Sequence, residues 1–101
     1  MTDSNNDTEK IELPPLNIWN NIAKISITED KPIMLDYWVD SLNKDVLIGV
    51  KENDEKLLVK NAEEYTSPIT KIYKLENVYI ICTENSIYIT SSEIDKRRIS
   101  Q

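Results

Sequence analysis

Apolar residues recur along the chain with two different periods. Leu16, Trp19, Ile22 and Ala23 stand three or four positions apart directly after Pro14 and Pro15, which predicts a short helix over residues 16–24. Ile25 and Ile27 then alternate with Ser26 and Thr28, so the backbone is expected to become extended there, before polar residues 29–32 interrupt it. From Ile33 the period is two. Ile33, Leu35, Tyr37 and Val39 alternate with Met34, Asp36, Trp38 and Asp40, the pattern of a strand with one buried face. Residues 41–45 read as a turn, 46–51 as the next strand and 52–55 as a polar turn, with Leu57 and Val59 continuing the alternation to about Asn61. Residues 62–68 form the longest internal connection, closed by Pro68, which cannot donate a ladder hydrogen bond and so suits a strand entrance. Three more extended runs follow, at 69–75, 78–83 and 87–90, separated by Glu76-Asn77 and by residues 84–86.

These elements predict a mostly β fold. A short N-terminal helix precedes a five- to six-stranded antiparallel meander, expected to curl into a small, partly open barrel. Residues 13–95 are expected to form this single domain. Residues 1–12 carry too little apolar surface to offset the entropy of ordering them and read as a disordered acidic arm. Residues 96–101, opening with Lys96, Arg97 and Arg98, read as a basic tail.

Composition narrows the possible functions. At 101 residues the chain can close one core without a metal or disulfide staple, and its 15 isoleucines favour strands. A net charge of −6 opposes general nucleic-acid binding. Histidine is absent, which removes the commonest general base and metal ligand. Cys82 is the only cysteine, so no internal disulfide can form; with no apolar run long enough to span a bilayer and no leader-like N-terminus, the expected compartment is the cytoplasm. Cys82 shares an apolar strand face with Val78 and Ile80 and reads as a small hydrophobe. Gly49 is the only glycine, which excludes glycine-rich phosphate loops and points to a bend or close packing in its strand. No catalytic residues, cofactor or metal site are expected.

The candidate partner-binding residues are Asp36, Trp38, Asp40 and Tyr65. On a strand, Asp36, Trp38 and Asp40 would share the face opposite Tyr37 and Val39, presenting an indole between two carboxylates to a basic or aromatic partner. Alternatively, the N-terminal helix covers Trp38 and the aspartates keep a strand edge soluble. Tyr65 lies in the 62–68 connection, where recognition residues often sit.

The order of elements over residues 16–90 is similar to the Sm-like fold. Residues 57–64 resemble the end of that family's first motif, and residues 80–89 stand where its second would lie. The Arg-Gly pair of the second motif has no counterpart at Cys82-Thr83, and the turn between Gly49 and Leu57 is short, so the resemblance implies an Sm-like or SH3-like architecture without the RNA pocket. Residues 64–69 and 83–88 resemble small proteins of large cytoplasmic DNA viruses, which implies a protein of the infected cell or virion. Isoleucine, asparagine and lysine together make up 35 of 101 residues, the bias of an AT-rich genome. The function expected from all this is a non-catalytic protein-interaction or scaffolding module acting on a protein partner or on itself. The alternative is a small barrel associated with nucleic acid.

Overall fold

The run Val78-Tyr79-Ile80-Ile81-Cys82-Thr83 is apolar on both faces, so a sheet containing it must be covered on both sides. The computed structural model, which describes residues 13–100, does this with three layers. The expected arm, residues 1–12, lies outside the described residues.

One four-stranded sheet has the order β1-β7-β6-β5, with β1 at Ile33–Met34, β5 at Ile69–Leu75, β6 at Val78–Thr83 and β7 at Ile87–Ser91. A helix, α1, spans Leu16–Glu29 and covers one face of it: Ile18 and Ile22 pack with Val78, Ile80, Cys82, Ile87 and Ile89. The other face meets a second four-stranded sheet, β4-β3-β2-β8, made of Glu64–Tyr65, Lys56–Asn61, Leu47–Val50 and Asp95–Arg98. Ile81 packs there with Tyr37, Val46, Ile48, Leu58 and Ile94. Adjacent residues Ile80 and Ile81 therefore belong to different apolar cores, as strand alternation requires.

The mostly β expectation holds, while the connectivity differs from a single antiparallel meander. Strands β5-β6-β7 and β2-β3-β4 are two antiparallel meanders, and each gains one parallel strand, β1 beside β7 and β8 beside β2. The sheets stack and do not close into a barrel. Residues 95–98, expected at the border of a free tail, form β8, in register from Leu47↔Asp95 to Val50↔Arg98, and Ile99 N–H continues the ladder to the Val50 carbonyl at 3.0 Å. Ile99 also explains Gly49. A β-carbon on Gly49 would stand 2.6 Å from Ile99 Cδ1 and 3.1 Å from Val59 Cγ2, so the single glycine admits the crossing side chain.

Helix α1 runs five residues beyond its expected end. Ile25 continues the buried stripe of Ile18 and Ile22 at helical spacing, and this packing overrides the β preference of Ile25 and Ile27. Asp30 stops the helix in the left-handed conformation, φ 56°, while the Lys31 N–H bonds the Ser26 carbonyl and the Ser26 hydroxyl bonds the Lys31 carbonyl.

The largest departure lies at residues 33–42. The alternation predicts one strand over 33–40, but the strand ends at Met34, Asp36 and Tyr37 turn, and Trp38–Leu42 forms a short helix, α2. Tyr37 and Trp38 then enter opposite cores: Trp38 lies under α1 with Ile18 and Ile22, and Tyr37 lies between the sheets. Helix α2 also completes the edge of β7. Hydrogen bonding alternates along β7, so Ile87, Ile89 and Ser91 direct their backbone groups away from β6. Ile87 N–H donates to the Pro32 carbonyl at 2.9 Å, and Ser91 N–H donates to the Ser41 hydroxyl oxygen at 2.8 Å. Ser41 is fully buried and its hydroxyl donates in turn to the Trp38 carbonyl at 2.6 Å.

Candidate interaction surface

The four residues proposed from sequence do not form one face. Trp38 is 5% exposed, which removes it from any rigid contact surface and matches the arrangement in which α1 covers it. Its indole Nε1 has no hydrogen-bond partner among the described residues. Asp36 is exposed in the turn before α2, Asp40 is half-buried on α2, and Tyr65 is exposed on β4 opposite Val59.

What the fold does bring together is a set of charges around Tyr37. Lys60 on β3 lies 3.2 Å from Asp40 and 3.9 Å from Glu64, with its ammonium 4.7 Å from the centre of the Tyr37 ring. Tyr37 meets Tyr88 edge to face at a centroid distance of 5.3 Å. Burial, then Tyr88, Glu64 and Asp36, push the Tyr37 hydroxyl up to about 12. Burial and then Asp36 likewise raise Tyr88. The carboxylates and the ammonium satisfy one another, so the cluster fastens α2 to β3 and β4. No local sequence pattern pairs Lys60 with Asp40, because they meet only once residues 38–42 are helical.

The other singled-out residues are also absorbed by the fold. Cys82 is fully buried, and desolvation raises its thiol, which disfavours the reactive thiolate. Thr66, within the 62–68 connection, is buried, its N–H donating to the Leu58 carbonyl at 2.9 Å and its hydroxyl oxygen accepting from the Leu58 N–H at 3.1 Å. On β8, Arg97 lies 3.2 Å from Asp95 and Arg98 lies 3.3 Å from Asp54, so two of the three terminal bases have acidic partners.

An open surface remains at β5. This seven-residue strand is the edge of its sheet, and no described strand lies beyond it. A two-residue turn sets Leu75 against Val78, so Leu75, Tyr73 and Lys71 bond inward and the N–H and C=O groups of Ile72 and Lys74 face away from β6. The ladder on the far side of β6 requires the same parity. A bulge at Thr70 turns Ile69 toward the inter-sheet core, whereas Tyr73 and Leu75 pack under α1. Beside the bulge, Lys56, Ile69, Thr70, Lys71 and Ile72 line a shallow groove of about 240 Å³. Lys71 pairs with Glu29 at 3.3 Å, and that hydrogen bond raises its ammonium. Among the described residues neither Lys56 nor Lys74 has a carboxylate within 4.0 Å. The sequence marks 69–75 as a strand, but which strand lies at an edge depends on nonlocal pairing; the exposed lysines at 71 and 74 are the local trace of it.

Comparisons with protein-family models, curated proteins and solved structures return no match. Among the described residues, no helix is long and apolar enough to cross a membrane, and no three His, Cys, Asp or Glu residues are grouped to hold a metal ion.

Proposed function

We propose that this chain is a non-catalytic protein-interaction module that takes up an extended, acidic segment of a protein partner as an added strand along β5. The observation that carries this reading is an edge whose Ile72 and Lys74 backbone groups point outward between the lysines at 56, 71 and 74. The backbone groups supply pairing, Ile72 supplies an apolar contact, and the ammonium groups select for carboxylates. Lysines and a bulge are also the devices that keep an edge from pairing indiscriminately, so an uncharged strand would be a poor partner. In the setting implied by the resemblance of residues 64–69 and 83–88 to viral proteins, the partner belongs to the particle or its assembly machinery.

The test is titration of the isotope-labelled protein with an extended peptide of alternating Glu and Ile residues. Shifts confined to β5 and the groove, with affinity falling about tenfold (about 1.4 kcal/mol) on Lys74→Glu, are expected. An unchanged spectrum across β5 at millimolar peptide would overturn the proposal.

A further inference from the structure

The second sheet has an open edge of the opposite charge. Strand β4, Glu64–Tyr65, ends that sheet, and no described strand lies beyond it. Thr66 N–H donates to the Leu58 carbonyl, so Thr66 bonds inward, and Tyr65, opposite Val59, turns its N–H and C=O away from β3. Exposed Glu63 and Glu64 precede it. Among the described residues Glu63 has no Lys or Arg within 4.0 Å, and Glu64 has only Lys60, at 3.9 Å. The two open edges share a flank. Residues 66–68 lead from β4 to β5: Thr66 bonds Leu58 in the second sheet, and two residues later the Pro68 carbonyl accepts from Glu84 N–H, just past β6 in the first. One side of the stacked sheets therefore carries a basic edge in one layer and an acidic edge in the other.

We infer that a second copy of this chain supplies the added strand, β4 of one molecule pairing with β5 of the other. The inference rests on the proposed strand-addition function and names its partner. Half a turn about an axis running along this flank, midway between the layers, brings the acidic edge of one molecule level with the basic edge of the other. Both pairings then form at once, and the assembly closes at a dimer. Tyr65 offers outward backbone groups to β5, and Glu63 and Glu64 are the carboxylates that Lys56 and Lys74 lack. Other edge pairings are less favourable. Two β5 strands side by side would set Lys71 and Lys74 against their own copies, and on β8, the other basic edge, Arg97 and Arg98 already have Asp95 and Asp54. A short edge and exposed charges make the contact weak, with a dissociation constant on the order of 0.1–1 mM, and salt weakens it further.

The experiment is sedimentation equilibrium of the full chain at low ionic strength, up to about 1 mM protein, with two charge-reversed variants. The expected result is a monomer–dimer equilibrium that Lys74→Glu weakens about tenfold and Glu63→Lys/Glu64→Lys weakens by as much. An equimolar mixture of the two variants should restore the dimer, because opposite charges then meet at both pairings. Unshifted amide signals at Ile80 and Ile81 in each variant establish that the sheet is intact. A chain that stays monomeric throughout overturns the inference; if the same sample binds the Glu/Ile peptide along β5, strand addition from a separate partner stands without it. A dimer that Lys74→Glu strengthens overturns it in favour of paired β5 edges, and a dimer that neither variant alters overturns it by placing the contact elsewhere. If the variants and their mixture behave as expected but the peptide neither binds β5 nor dissociates the dimer, self-pairing stands and uptake of a separate peptide falls.

Discussion

Replacing Ser41 with alanine separates the observed fold from the strand that the alternation of residues 33–40 suggests. In that strand Ser41 would open a solvated turn, and its loss would change little. In the observed fold its fully buried hydroxyl joins the Trp38 carbonyl to the Ser91 N–H. Alanine removes the bond to the carbonyl, worth about 0.5–1.5 kcal/mol, and leaves the Ser91 N–H buried without its acceptor, at about 1–3 kcal/mol. The sum, roughly 1.5–4.5 kcal/mol, is a large share of the about 5–15 kcal/mol that holds a domain folded. Urea unfolding followed by tryptophan fluorescence should show a lower midpoint at unchanged slope, and the melting temperature should fall by roughly 6 °C or more. Amide exchange at Ser91 should accelerate ahead of Ile87, whose acceptor is the Pro32 carbonyl. Ser92→Ala, which removes a hydroxyl with no bond among the described residues, serves as the neutral control. A Ser41→Ala protein within about 0.5 kcal/mol of the parent, with unchanged exchange at Ser91, would refute the assignment of this hydroxyl to the edge of β7.

Three further outcomes follow from the packing. Gly49→Ala should destabilise by no more than about 1 kcal/mol in urea titrations, because the new methyl meets chiefly the end of the Ile99 side chain, which can turn aside, and adding Ile99→Ala should remove that loss; additive effects would contradict the contact. Trp38→Ala should cost about 3–5 kcal/mol, whereas Trp38→Phe should cost less than about 1.5 kcal/mol, since the indole N–H contributes no hydrogen bond among the described residues. Because the Tyr37 hydroxyl is held at about 12, above the ordinary 10, its contribution is fully present below pH 10 and is lost as pH rises through 12; the urea midpoint should fall across that window and fall less in Tyr37→Phe.

The sequence is most legible where structure is local. Strands β5 and β6 have the expected bounds, and β7 ends one residue later, because short polar turns separate runs of β-branched and aromatic residues. The β2–β3 hairpin is equally readable, although its turn places Asp54 in the left-handed region, φ 70°, without a glycine to announce it. Residues 33–42 mislead because Ile33, Leu35, Tyr37 and Val39 satisfy a period of two, while the burial of Trp38 and Ser41 three residues apart satisfies a helix as well. Tertiary burial chooses between the two readings. Strand β8 is illegible for another reason: Asp95–Arg98 is exposed throughout and forms by backbone pairing to β2, so it carries no apolar period. Of the candidate surface residues, Tyr65 is exposed, while Trp38 and Asp40 are redirected by the helix that replaced the expected strand.

The paired placement of Tyr37 and Trp38 bears on how the molecule comes apart. Three stacked layers with two apolar cores could in principle melt in stages, the helix lifting away first and the sheets separating later. Neighbouring residues joined by one rigid peptide unit oppose staged loss of α2, because withdrawing the Trp38 indole from beneath α1 also moves the Tyr37 phenol between the sheets. Ile80 and Ile81 impose the same linkage through β6. Damage at Trp38 or Ile80 is therefore expected to loosen Tyr37 and Ile81 in the other core as well, and a single unfolding transition is the expected outcome.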